Sequence, residues 1–202
     1  MNSEKTTILV PATIGTPFEG GFYGGKIRIG DGIVAVVWAP KAHGEVNGLW
    51  LPSYKDVPNA TSCFDSMSNT VAMAEAGSPI AKLALAADIA GHKDWCIPAR
   101  DVLELGYRHL KPTTETNYIY RGDNPSSVPV GYPYTEQLPR QTSVQAFQAG
   151  GPEAFDEVWY LSSTQASVYG AWTQYFGYGS QYDYGKKFEG RARLVRLIQL
   201  NA

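Results

Sequence analysis

Residues 159–196 read WYLSSTQASVYGAWTQYFGYGSQYDYGKKFEGRARLVR. Trp159-Tyr160-Leu161 followed by Ser162-Ser163-Thr164 reads as a short buried strand leaving a core. The alternation from Arg191 to Ile198 reads as one closing strand that returns to it. From Ala166 to Tyr184 there is no Lys, Arg or Glu, and tyrosine recurs at 169, 175, 178, 182 and 184. Rigid amphipathic rings diluted with Ser and Gly make contact area at low entropic cost, which is the composition of a recognition surface. The same composition also suits packing at the edge of a β-rich core. Period-two alternation places Trp172 and Phe176 on one strand face, read as core, and Thr173 and Tyr175 on the other. The surface candidates are therefore Tyr169, Tyr175, Tyr178, Gln181, Tyr182 and Tyr184.

The chain has 202 residues, 18% charged and 12% aromatic, with a formal net charge of −2. That length and balance predict one globular domain over 21–202 preceded by an N-terminal arm over 1–20, where Pro11, Gly15 and Pro17 break any regular element. No basic patch points to nucleic acid. The longest apolar run, Gly32 to Ala39, is too short to span a bilayer, so no membrane insertion is expected. Cys63 and Cys96 are two isolated cysteines, read as free thiols because no dense cysteine framework exists.

Gly24–Ile29 and Ile33–Trp38 flank Gly30-Asp31-Gly32, a hairpin signal. The second run is apolar almost throughout, so both of its faces are expected to be covered. Ser78-Pro79 starts a helix with Ile80, Leu83, Ala84 and Ala87 on one face and Gly91 as its stop. A second helix follows Pro98, with Leu103, Tyr107 and Leu110 inward, ending at Lys111-Pro112. Trp95 and Ile97, between the helices, are expected to plug the core. Residues 111–157 read as one long loop, with only Tyr118-Ile-Tyr120 hinting at a strand; such loops are functional or poorly ordered.

Catalytic patterns are scarce. His43, His92 and His109 do not pair at ligand spacing, and Gly-x-Ser-x-Gly and Walker patterns are absent, so neither a metal nor a cofactor is expected. Asp65, Asp94 and Asp101 admit a calcium reading, but Asp94 reads better as a helix or turn cap. Arg191, Arg193 and Arg196 read as carboxylate partners across the sheet rather than as an anion site.

The segment Gly91-His-Lys-Asp94-Trp95-Cys-Ile97-Pro98-Ala-Arg100-Asp101-Val-Leu103-Glu104-Leu105 resembles the G-x-x-D-W-x-L-P-S/T-x-x-E-L segment of a bacterial and phage family, the Legionella collagen-like-protein C-terminal domains. A second hallmark is matched by Trp159, Ser162, Ser163, Thr164, Ala171, Trp172, Phe176, Gly177, Lys187, Arg193 and Arg196. Phe64-Asp65-Ser66-Met67-Ser68-Asn69-Thr70 is similar to the family's D-G-x-x-N-T turn. Together these cover roughly residues 30–198. Ala99 departs from the family's helix-capping Ser/Thr, which costs that helix about 1 kcal/mol; Cys96, Val102 and Ser66 also depart.

The resemblance implies an α+β, C-type-lectin-like fold akin to formylglycine-generating enzymes, loop-rich, with two helices packed on short antiparallel strands. It implies a non-enzymatic phage virion protein of tail fibre or tail tip, made in the host cytoplasm. Its expected partners are a host-surface glycan or protein, other virion tail proteins and further copies of itself, a trimer among the options. The second reading is an architectural tail or baseplate subunit whose Tyr-rich face docks another virion protein.

Overall fold

In a computed structural model, residues 9–119 and 123–200 are described. Among these residues nine strands form two sheets. The first holds β1 (Pro17–Phe18), β2 (Gly21–Ile29), β3 (Gly32–Trp38) and β9 (Val195–Leu200), in the order β1-β2-β3-β9. The second holds β4 (Glu45–Leu49), β5 (Trp159–Gln165), β6 (Gly170–Tyr175), β7 (Gln181–Gly185) and β8 (Glu189–Arg193), in the order β4-β8-β5-β6-β7. Pairing is antiparallel except between β5 and β8. Four helices lie among the described residues: a single turn α1 (Lys41–Gly44), then α2 (Ser66–Glu75), α3 (Pro79–Leu85) and α4 (Arg100–Leu110). The chain is thus a mixed α+β fold with curled antiparallel sheets.

The hairpin joins β2 to β3 with Ile29 opposite Gly32; Gly30, at φ +57°, takes the left-handed position the two-residue turn needs. On β3, Val34, Val36 and Trp38 enter one apolar cluster with α4, while Val37 enters another with α2 and α3. Both faces of that strand are covered, as its unbroken apolar run requires. Trp95 and Ile97 are fully buried in the second of these clusters.

Trp38 sets the distance between α4 and the sheet. A Cβ at Gly24 of β2 or at Gly106 of α4 would collide with its indole. Gly24 sits in a bulge of the β2–β3 register, where a strand tolerates a missing side chain.

Several expectations are corrected. The closing segment is two strands, not one: β8 and β9 belong to different sheets, with Leu194 buried between them. Among the described residues three helices longer than a turn are present, not two. The extra one, α2, occupies what reads as a turn; Asp65 caps it by accepting from the Ser68 amide at 3.0 Å. Helix α3 ends at Leu85, and Gly91 (φ +80°) instead serves a tight turn closed by paired Ile89–His92 backbone bonds. Its inward face is Ile80, Ala81 and Ala84, leaving Leu83 exposed. Asp94 is not the cap of either neighbouring helix: its carboxylate holds Arg196 at 2.5 Å.

The other two arginines of the closing segment also meet carboxylates. Arg191 pairs with Asp156 and Glu45, and the fully buried Arg193 pairs with Glu153 at 2.5 Å. Of the expected arm, residues 1–8 lie outside the described residues. Its remainder is tied down: Pro17 and Phe18 pair with Phe22 and Gly21, and the Gly15 amide donates to the Tyr23 carbonyl.

The 111–157 segment is irregular but fastened. Glu104 accepts from Arg108, Tyr134 and Asn124 at 2.5–3.0 Å, deep under the loop. Ser126 and Val128 exchange backbone bonds with Arg28 and Lys26 of β2. Of the suggested strand at 118–120, Tyr118 and Ile119 are irregular and exposed, and Tyr120 lies outside the described residues.

Candidate recognition surface

The β5–β6–β7 register decides which tyrosines meet. Trp159 stands opposite Tyr175, Thr173 opposite Tyr182, and Ala171 opposite Tyr184. Residues opposite one another share a face, so these all lie on one side of the sheet. Toward the core that side carries buried Leu161, Ala171 and Thr173. Toward the β7 edge and the start of β5 it carries rings.

Six rings run in an unbroken series. Tyr182 lies 6.1 Å from Tyr184, Tyr184 5.3 Å from Trp159, and Trp159 5.4 Å from Tyr175. Tyr175 is 4.5 Å from Tyr178, and Tyr178 6.5 Å from Tyr118. Tyr118, Tyr178, Tyr182 and Tyr184 are each 40–61% exposed. Tilted and edge-on pairs at these spacings are the favourable ring geometries, so the rings brace one another and need little ordering on contact.

The turn after β6 makes this possible. Gly179 adopts φ +82°, and its amide donates to the Tyr175 carbonyl at 2.9 Å. Gly177 has no Cβ, and one there would strike the Tyr175 ring. Tyr118 arrives from the long loop because its amide donates to the Tyr178 carbonyl at 2.8 Å. Beneath it, Asn117 Oδ1 accepts from the Tyr107 hydroxyl at 2.6 Å and from Lys111 Nζ at 2.8 Å. Asn117 Nδ2 then donates to the Pro139 carbonyl at 2.9 Å. Burial pushes the Lys111 ammonium below the usual lysine range.

Of the six residues expected at the surface, four come together: Tyr175, Tyr178, Tyr182 and Tyr184. Tyr169 does not join them. It is 67% exposed and packs 5.6 Å from Tyr54, which lies under Lys187 Nζ. Gln181 lies on the opposite sheet face, across from Gln174, whose Oε1 accepts from its Nε2 at 2.8 Å. There it lines a hollow of about 310 Å³ with Arg100, Asp101, Glu104, Asp123 and Pro125.

Trp172 keeps the face expected of it, with Gln174 and away from Tyr175, but is not core. It is half-buried on that same opposite face, across from Asp183, with the Arg100 guanidinium 5.7 Å from its ring. Phe176 is core as expected, stacked 4.1 Å from Phe155. Two ladder members escape sequence reading. Trp159 begins a strand that looks wholly buried, yet its alternation with buried Tyr160 carries the signal that it faces outward. Tyr118 has no local signal, because a backbone bond sixty residues away places it.

The ladder itself carries no charged side chain, so its chemistry is contact and stacking. Among the described residues no three His, Cys, Asp or Glu lie close enough to hold a metal ion. Both thiols are free, and burial pushes each pKa up, Cys96 far above the ordinary thiol range. No helix among the described residues is long and apolar enough to cross a membrane.

Compared with known proteins, the chain matches no family model, no curated protein and no solved structure.

Proposed function

We propose that this chain is a non-enzymatic attachment protein that binds an extended host-surface ligand, a glycan or a protein segment, along the Tyr118–Tyr178–Tyr175–Trp159–Tyr184–Tyr182 ladder. The observation that carries the reading is the uncharged, mutually braced series of six rings, four of them exposed. Aromatic anchors held in place before binding give up little rotamer entropy, and rings of this kind dominate contact energy. A phage-tail setting and a C-type-lectin-like scaffold are part of this proposal, and the motif resemblance is what supports them.

The test is binding of the labelled, purified protein to candidate bacterial hosts, with competition against phage adsorption. Saturable binding that blocks adsorption, and that Tyr178→Ala and Tyr182→Ala weaken, supports the reading. Unchanged binding by the two variants removes the ladder from it. Absence of cell binding by a folded protein, with capture of another tail subunit through the same rings, supports the architectural reading instead.

A further inference from the structure

Among the described residues strand β7 is an open edge, and its open side is complementary to itself. The β6–β7 ladder fixes which of its backbone groups point outward. The Tyr175 amide donates to the Ser180 carbonyl and the Lys186 amide to the Tyr169 carbonyl, each at 2.9 Å. Those bonds and the register place the Ser180 carbonyl, the Lys186 amide and both backbone groups of Tyr182 and Tyr184 toward β6, while the Lys186 carbonyl accepts from the Leu51 amide at 3.0 Å. Gln181, Asp183 and Gly185 therefore direct theirs away from the sheet. The Gly185 carbonyl accepts from the Phe188 amide at 3.0 Å, which leaves Gln181 and Asp183 as the pairing positions.

Tyr182, Asp183 and Tyr184 are exposed, and Gln181–Gly185 has no proline, no lysine and no register shift; Asp183 is its one charge. Such an edge is a template for another strand.

We propose that the occupant is a second copy of this chain, its β7 antiparallel to the first about a twofold axis at Tyr182. Three registers bring outward groups together. Pairing Gln181 with its own copy closes only two backbone bonds, because Asp183 then falls opposite Gly179, whose amide and carbonyl are already held by Tyr175 and Gln174. Pairing Asp183 with its own copy sets like charges directly opposite, which is destabilising. Pairing Gln181 with Asp183 of the copy avoids this and closes four backbone bonds. It also faces each Asp183 carboxylate with the second amide hydrogen of a Gln181 whose first is held by Gln174. On the other face, Tyr182 meets Tyr182 of the copy in a non-hydrogen-bonded pair, where side chains approach most closely. The two ring series then meet end to end at the axis, and the five-stranded sheet becomes ten-stranded. The pairing does not depend on what the ladder binds.

A five-residue edge is a small interface, so the dimer is reversible and is read by sedimentation over a concentration series. Asp183→Pro removes an outward amide that the chain's own sheet does not use, and proline is tolerated at such edge positions. Gln181→Asp places two like-charged pairs across the axis. A dimer that each variant weakens at least tenfold, and that Gln181→Asp with Asp183→Lys restores, is the expected result. If Asp183→Pro fails to fold, as circular dichroism shows, the charge variants decide alone. A monomer at every concentration, a trimer, or a dimer indifferent to the charge variants overturns the proposal.

Discussion

Trp159 and Tyr175 face each other across β5 and β6 with ring centroids 5.4 Å apart, and each touches a further ladder ring. This pair is the middle of the series, so removing it splits the surface into two short pieces. Trp159→Ala should weaken ligand binding by about 2 kcal/mol or more, roughly thirtyfold, as truncation of a central aromatic anchor does. Tyr169→Ala, in the separate Tyr54 patch, should leave it within about twofold. Cell-binding isotherms of the two variants check the contrast.

Helix α4 approaches the sheet only as closely as Trp38 allows. Gly106→Ala gains about 1 kcal/mol of helix propensity. The added methyl collides with a buried indole, and overpacking of this kind costs about 1–3 kcal/mol. The net effect expected is destabilisation, measured as a lowered urea midpoint at unchanged slope. Trp38→Phe should recover part of it in the double variant, because the two sites touch and their effects do not add.

Lys186 is fully buried, with Nζ 2.8 Å from the Lys55 carbonyl, 2.5 Å from Gln165 Oε1 and 4.8 Å from the Trp50 ring centre. Burial lowers its pKa to about 8, against a weaker upward pull from Asp56. The unfolded chain, at the ordinary lysine value, then holds more protons than the folded one between that pH and about 10.4. Stability should therefore rise relative to Lys186→Met as pH goes from 7 toward 10. Below pH 7 the difference should be flat. Denaturant midpoints of both proteins across that range test the sign.

The two thiols should part in reactivity. Cys63 is half-buried and Cys96 fully so, and burial raises both pKa values, Cys96 far more. Under native conditions an aromatic disulfide reagent should modify Cys63 slowly and Cys96 only on unfolding. Fast modification of both would contradict the packing of Cys96 against Val195, whose carbonyl accepts from its thiol at 3.4 Å.

What the sequence determined by itself is local. Gly30-Asp31 made a hairpin because a two-residue turn needs a left-handed residue and Gly30 supplies it. Ser78-Pro79 began a helix, with the Ser78 hydroxyl accepting from Ala81 at 3.2 Å, because those residues satisfy and pre-form a first turn. The apolar run of β3 was covered on both faces, and the tyrosine-rich tract did surface. Tertiary structure decided the rest. Whether Arg191–Ile198 was one strand or two depended on sheets built from residues more than a hundred positions away. The membership of the ladder was set by register, which sent Tyr182 and Tyr184 to one side and Gln181 and Trp172 to the other. Composition cannot carry that choice, because a one-residue slip exchanges every side chain between faces without changing a letter of the sequence.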